Sequence, residues 1–179
     1  MLNKSDFRKS IRRAPLSDEG AAFMRSSLYA LPEWQAAQSV FIYVSVYPEP
    51  DTRQIIADAL ALGKRVAVPK VLGRGEMLAL EIESLSGLTA GALGIPEPPL
   101  SFKTMDAPDL AVIPCLACDR EGYRIGHGGG YYDRYLARHD CFSVCLCPLA
   151  QIYDRVPTDC SDVKPDVILT ERFIIKPFK

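Results

Sequence analysis

Between Arg124 and Asp133 the chain reads Arg-Ile125-Gly126-His127-Gly128-Gly129-Gly130-Tyr131-Tyr132-Asp. Four glycines in five positions let consecutive backbone N–H groups turn toward one anion, because no Cβ blocks the approach. A helix is expected to open directly after them, and its N-terminus adds partial positive charge. Arg124 flanks the loop, and Asp133, one turn into that helix, offers a carboxylate of the kind that binds Mg²⁺. Phosphate binding is the chemistry this arrangement favours over a plain flexible turn. The loop does not end in Gly-Lys-Ser/Thr, so it is no Walker A motif. It also lies too far from its strand to be a dinucleotide fingerprint.

Three further groups need weighing. Lys4, Arg8 and Arg12 recur every four residues on one face of an expected N-terminal helix, where each pair repels by ~0.2–0.5 kcal/mol. Such a stripe is either a solvated face or a clamp whose charge a polyanion neutralises. Glu49, in Ser45-Val-Tyr-Pro-Glu49-Pro-Asp51-Thr52, sits where the chain leaves a strand; it is either a loop residue or a carboxylate turned to a ligand, while Asp51 and Thr52 suit a helix cap. Asp159, Asp162 and Asp166 are spaced as turn formers, although one of them would complete a metal site if its loop met Asp133.

The elements that must position these groups alternate. Residues 4–13 and 17–29 read as helices, the second with Asp18 and Glu19 in its first turn, as the helix dipole prefers. Ser39–Val44 is a continuous apolar run, and residues 52–62 form a helix closed by Gly63. Strands are expected at 65–69, 77–82, 109–113, 142–147 and 166–170, with a helix from Tyr131 to His139. Strand–helix alternation with apolar strands predicts a three-layer α/β/α sandwich around a mainly parallel sheet, as one domain over residues 1–179. Ligands in such sheets gather at the carboxyl ends of strands. Trp34 reads as a core anchor and His139 as a complement to a helix C-terminus.

With 48% apolar and 24% charged residues and a net charge of −1, the composition is that of a globular protein with no overall field for nucleic acid or an anionic membrane. No apolar run approaches the ~20 residues of a membrane span, and the first residues lack the apolar core of a signal peptide. A cytoplasmic monomer is the expectation. Of six cysteines, Cys115 and Cys118 have CxxC spacing, and Cys141, Cys145 and Cys147 follow. Cys145 and Cys147 lie in an apolar strand and no second CxxC completes a tetrahedral set, so reduced core cysteines are expected rather than zinc ligands.

Taken together, Lys4-Ser-Asp-Phe-Arg8, Glu49-Pro-Asp-Thr52, Gly94-Ile-Pro-Glu-Pro98, Pro114-Cys-Leu-Ala-Cys-Asp119, Gly122-Tyr-Arg124 through Asp133, and Pro157 to Asp166 resemble the motifs of the 5-formyltetrahydrofolate cyclo-ligase family, in order and over essentially the whole chain. The resemblance implies an enzyme that converts 5-formyltetrahydrofolate, polyglutamylated or not, to 5,10-methenyltetrahydrofolate with ATP as co-substrate and Mg²⁺ as cofactor. A non-catalytic folate- or nucleotide-binding member of the same fold is the alternative.

It also implies roles. Lys4 and Arg8 match positions that contact ATP phosphates, and Arg124, Ile125, Gly126, His127, Gly128, Gly129, Gly130, Tyr131 and Tyr132 match the nucleotide loop. Val44, Glu49 and Tyr131 match folate contacts, Asp133 and Asp162 match metal-linked aspartates, and Arg124 and Tyr131 take the catalytic role. Where the chain departs from the family pattern, Cys115 and Cys118 stand for Gly and Phe, Cys145 for Gly, and Ser161 for His. His127 and Gly129 stand where relatives carry basic residues, which makes Arg134 or Arg120 the candidates for the missing charge.

Overall fold

The computed structural model describes residues 2–178 apart from 14, 74 and 92–93. Its helices are α1 (Lys4–Ser10), α2 (Asp18–Tyr29), α3 (Pro32–Ala36), α4 (Arg53–Ala61) and α5 (Tyr131–Leu136). Its strands are β1 (Ser39–Ile42), β2 (Arg65–Gly73), β3 (Glu76–Ile82), β4 (Thr89–Ala90), β5 (Pro96–Glu97) and β6 (Leu110–Ile113), followed by β7 (Ala117–Asp119), β8 (Arg124–Ile125), β9 (Phe142–Leu146), β10 (Ile152–Tyr153), β11 (Val167–Leu169) and β12 (Ile174–Ile175).

Seven strands form the main sheet in the order β12-β11-β9-β6-β1-β2-β3. The five inner strands are parallel, and β3 and β12 add antiparallel edges. The apolar runs behave as strands buried on both faces must, sending alternate side chains to opposite layers. Val40, Ile42, Val66, Val68, Leu110, Val112, Val144, Leu146, Val167 and Leu169 meet Met24, Leu28, Trp34, Ile55 and Ile56 of α2, α3 and α4. The residues between them, Phe41, Ala67, Ala111, Ile113, Cys145 and Ile168, meet Tyr135 of α5 together with Met105, Cys115 and Cys118. Small residues on this second face allow α5 and the loop after β6 to lie close to the sheet.

The end of α5 and the stretch 117–125 both differ from the sequence reading. α5 ends at Leu136 rather than His139, because the chain tightens and both Arg138 N and His139 N donate to Tyr135 O. His139 instead stacks on Tyr135, with centroids 4.2 Å apart, and its Nδ1 lies 2.5 Å from Asp106 O. The stretch 117–125 is no mere connector: β7, β8 and β10 pair into a three-stranded sheet. Asp119 closes its turn, accepting from Glu121 N and Tyr123 N on Oδ1 and from Val156 N on Oδ2. Trp34 is buried and stacked on Tyr29 as a core anchor. Among the described residues no helix is long and apolar enough to cross a membrane.

Candidate active site

Around the central pair β1 and β6, the order of connections reverses, with β2 on one side and β9 and β11 on the other. Such a switch point opens a crevice at the carboxyl ends of the strands. There a cavity of about 860 Å³ is lined by Tyr43, Val44 and Glu49 beyond β1, by Pro69 and Val71 of β2, and by Pro114 beyond β6. The glycine loop, α1 and the loop 159–163 close its other sides.

β8 delivers Arg124, 6% exposed, to the start of the glycine loop. Its Nη2 donates to Asp133 Oδ1 at 2.8 Å, so the two ends of the loop are tied together across α5's first turn. Gly128 has φ +100°, a region that costs an L side chain, and a Cβ there would reach 3.3 Å from the Arg8 guanidinium. A Cβ on Gly129 would collide with the Tyr131 ring. Backbone conformation therefore favours glycine at 128, and close approach requires it at 129. α5 has only six residues, so anion binding here rests on loop N–H groups and side-chain cations more than on a helix dipole.

α1 lies against this loop through Phe7 and Ile11, which pack with Leu116, Ala117, Ile125 and Val156. Arg8 Nε donates to Gly126 O at 2.8 Å. Lys4 Nζ sits between Asp162, 2.5 Å from Oδ1, and Asp159, 2.8 Å from Oδ2. Burial works against the ammonium charge, but these two carboxylates outweigh it and raise the Lys4 pKa above its ordinary value.

The Glu49 loop is braced from beneath. Buried Thr52 donates through Oγ1 to Tyr43 O at 2.6 Å and accepts from Ser45 N at 3.1 Å, and Tyr43 Oη donates to Pro50 O. Glu49 Oε2 accepts from Val46 N at 2.9 Å, leaving Oε1 near Arg13 Nη2 at 3.7 Å and His127 Nε2 at 3.6 Å. Burial raises the Glu49 carboxyl pKa, while burial together with the Arg13 and Arg8 charges depresses that of His127.

The cavity therefore gathers Lys4, Arg8, Val44, Glu49, Arg124, Gly126, His127, Gly128, Gly129, Gly130, Tyr131, Tyr132, Asp133 and Asp162. Ile125 stands apart, its side chain buried in the small cluster under α1. Asp133 and Asp162 both line the cavity, and Val163 N, next to Asp162, donates to Asp133 Oδ1 at 3.2 Å. Oxygen donors of this kind fit a hard cation such as Mg²⁺. Each already faces a positive side chain, Arg124 and Lys4 respectively.

Of the two candidates for extra charge, Arg134 lines the cavity and donates to Gly75 O and Gly129 O, whereas Arg120 stacks over Phe173. The spacing argument missed two groups. Arg13, not exposed Arg12, turns to the site, because α1 stops at Ser10 and Ile11 is extended. Glu97 of the Gly94-Ile-Pro-Glu-Pro segment also lines the cavity, paired with Lys70 at 3.1 Å. Arg13 Nε and Arg124 Nε are buried without a hydrogen-bond partner among the described residues.

A mainly parallel α/β sheet carries a glycine loop, cations and carboxylates converging at its switch point, an architecture suited to an anionic ligand. The family model described as the 5-formyltetrahydrofolate cyclo-ligase family matches residues 5–171, and the chain belongs to that family. A probable 5-formyltetrahydrofolate cyclo-ligase of Schizosaccharomyces pombe is 33% identical over 165 residues, covering 82% of this chain and 81% of the relative. The 5-formyltetrahydrofolate cyclo-ligase of Escherichia coli K12 is 28% identical over 151 residues, 75% of this chain and 78% of the relative. The structure of Aquifex aeolicus 5,10-methenyltetrahydrofolate synthetase superposes with a TM-score of 0.86 at 32% identity, over 99% of this chain and 94% of that one.

Proposed function

We propose that this chain is an ATP-dependent ligase that closes the ring of 5-formyltetrahydrofolate to give 5,10-methenyltetrahydrofolate, ADP and phosphate. The observation that carries the reading is the convergence on one 860 Å³ cavity of the glycine loop, the basic face of α1 and the buried Glu49. Its family membership supports the same substrate pair.

The formyl oxygen of an N-formyl group is a poor leaving group. It attacks the γ-phosphorus of ATP, ADP departs, and the oxygen becomes a phosphate ester. N10 then attacks the activated carbon and loses its proton, and inorganic phosphate leaves as the C–N double-bond character forms. No enzyme base is needed to activate the formyl oxygen, which carries no proton. The protein's contribution is positioning and charge neutralisation. Loop N–H groups, Lys4, Arg8 and Arg124 hold the polyphosphate, with Arg134 supplying the charge that His127 and Gly129 do not. The Nε atom of cavity-lining Arg124, without a hydrogen-bond partner among the described residues, supports an anion at this place. Glu49, Val44 and Tyr131 hold the folate, with the braced Glu49 carboxyl directed at pterin-side nitrogens. Mg²⁺ would be held by Asp133 and Asp162, where it screens phosphate charge.

Oxygen-18 in the formyl group tests this order of bonds. The label is expected in the released phosphate; phosphate free of label would mean that the formyl oxygen is never phosphorylated.

A further inference from the structure

The fold assembles two pairs of thiols that the sequence keeps 27 or more residues apart. Cys115 and Cys118 follow β6, and Cys145 and Cys147 lie at the end of β9. The chain direction puts both pairs on the same face of the sheet, because Cys145 and Cys147 are two residues apart on one strand and its extension. The Sγ atoms of Cys115, Cys118 and Cys147 all lie within 4.8 Å of one another, and Cys145 Sγ is 3.7 Å from Cys118 Sγ. With Zn–S bonds of about 2.3 Å, sulfurs at the corners of a zinc tetrahedron are ~3.8 Å apart. None of the four is more than 2% exposed.

We propose that Cys115, Cys118 and Cys147 form a buried thiolate site for Zn²⁺, with Cys145 beside Cys118, set beneath the nucleotide loop and separate from the Asp133–Asp162 carboxylates. Four neutral thiols satisfy one another poorly, since sulfur is a weak donor and a weak acceptor. On loading, each of the three thiols releases its proton and the zinc trithiolate carries one negative charge, which Arg124 offsets. Nothing is oxidised or reduced. Soft thiolates select zinc over magnesium, so the two metals do not compete for one place. Cys115 adjoins cavity-lining Pro114, so a bound ion would tie the loop after β6 to the end of β9 under the active site.

The test unfolds the full chain with a chelator under reducing conditions and refolds it with Zn²⁺ or Co²⁺ alone. One metal per chain, a thiolate-to-cobalt charge-transfer band that zinc abolishes, and a melting temperature raised by zinc are expected. Cys118→Ser and Cys147→Ser should each weaken uptake more than about tenfold, while Cys160→Ser should leave it unchanged. Wild type that refolds without taking up metal, or forms a disulfide instead, would overturn the site whether or not the variants fold. Undiminished one-to-one binding by the Cys118→Ser/Cys147→Ser chain would overturn it too. Because the band reports sulfur ligands directly, the result is independent of the proposed ring closure.

Discussion

Glu49 is a carboxyl made to wait. Its own loop supplies one hydrogen bond, and Arg13 and His127 stand at 3.6–3.7 Å, too far to satisfy the second oxygen fully. Burial favours its protonated form, so this group supports the fold below its unfolded value near 4.5 and withdraws that support as pH rises through the elevated folded value. Glu49→Gln, which carries no charge at either end, should therefore gain melting temperature relative to wild type between about pH 4 and 7 while raising the KM for the folate. A difference that shrinks over that range would contradict the burial argument. Lys4 contributes a charge-assisted contact of the kind worth ~1.5–3 kcal/mol. Lys4→Ala is expected to raise the KM for ATP by about 10- to 100-fold, and unchanged ATP kinetics would remove it from the clamp. Asp133→Asn should lower turnover and shift the Mg²⁺ dependence to higher concentration together; a fully active variant would deny the carboxylate both its metal and its Arg124 roles.

The glycine loop was legible from its composition, whereas Lys4, Arg8 and Glu49 each admitted a plain structural reading and took their proposed roles only from the family resemblance. At the level of elements the sequence was read well where burial is two-sided and poorly where a short segment decides. The inner strands announced themselves as apolar runs. α1 was read three residues too long, and that error exchanged Arg13 for Arg12, since an i, i+4 count fails where the helix ends. β7 and β8 are too short for any period to show, yet they place Arg124. The convergence of four cysteines was invisible because it depends on β6 and β9 being neighbours. Thr52 tests the bracing of the Glu49 loop. Thr52→Val leaves a buried acceptor and a buried donor without partners, which should cost about 1–3 kcal/mol of stability by denaturant titration and also raise the folate KM. Loss of stability with unchanged KM would show that the loop needs no such brace.

Across the whole molecule, the two faces of the sheet divide the work. The face under α2, α3 and α4 is packed with large aliphatic side chains and touches the cavity only at its rim. The face under α5 mixes alanines and cysteines with Phe41, Ile113 and Ile168 and packs against Tyr132 and Tyr135, just after the glycine loop. Leu28→Ala, in the first layer, should cost about 2–5 kcal/mol while leaving both KM values near wild type; a large kinetic change would mean the layers are coupled. The central claim is that one cavity brings ATP and a formyl-folate together for chemistry. Incubation with 5-formyltetrahydrofolate and Mg-ATP, followed by absorbance of the methenyl product, tests it most directly. The account predicts a signal that requires ATP and is matched by one ADP per ring closed. Binding of either ligand with no ATP-dependent product would contradict it and leave a non-catalytic member of the family.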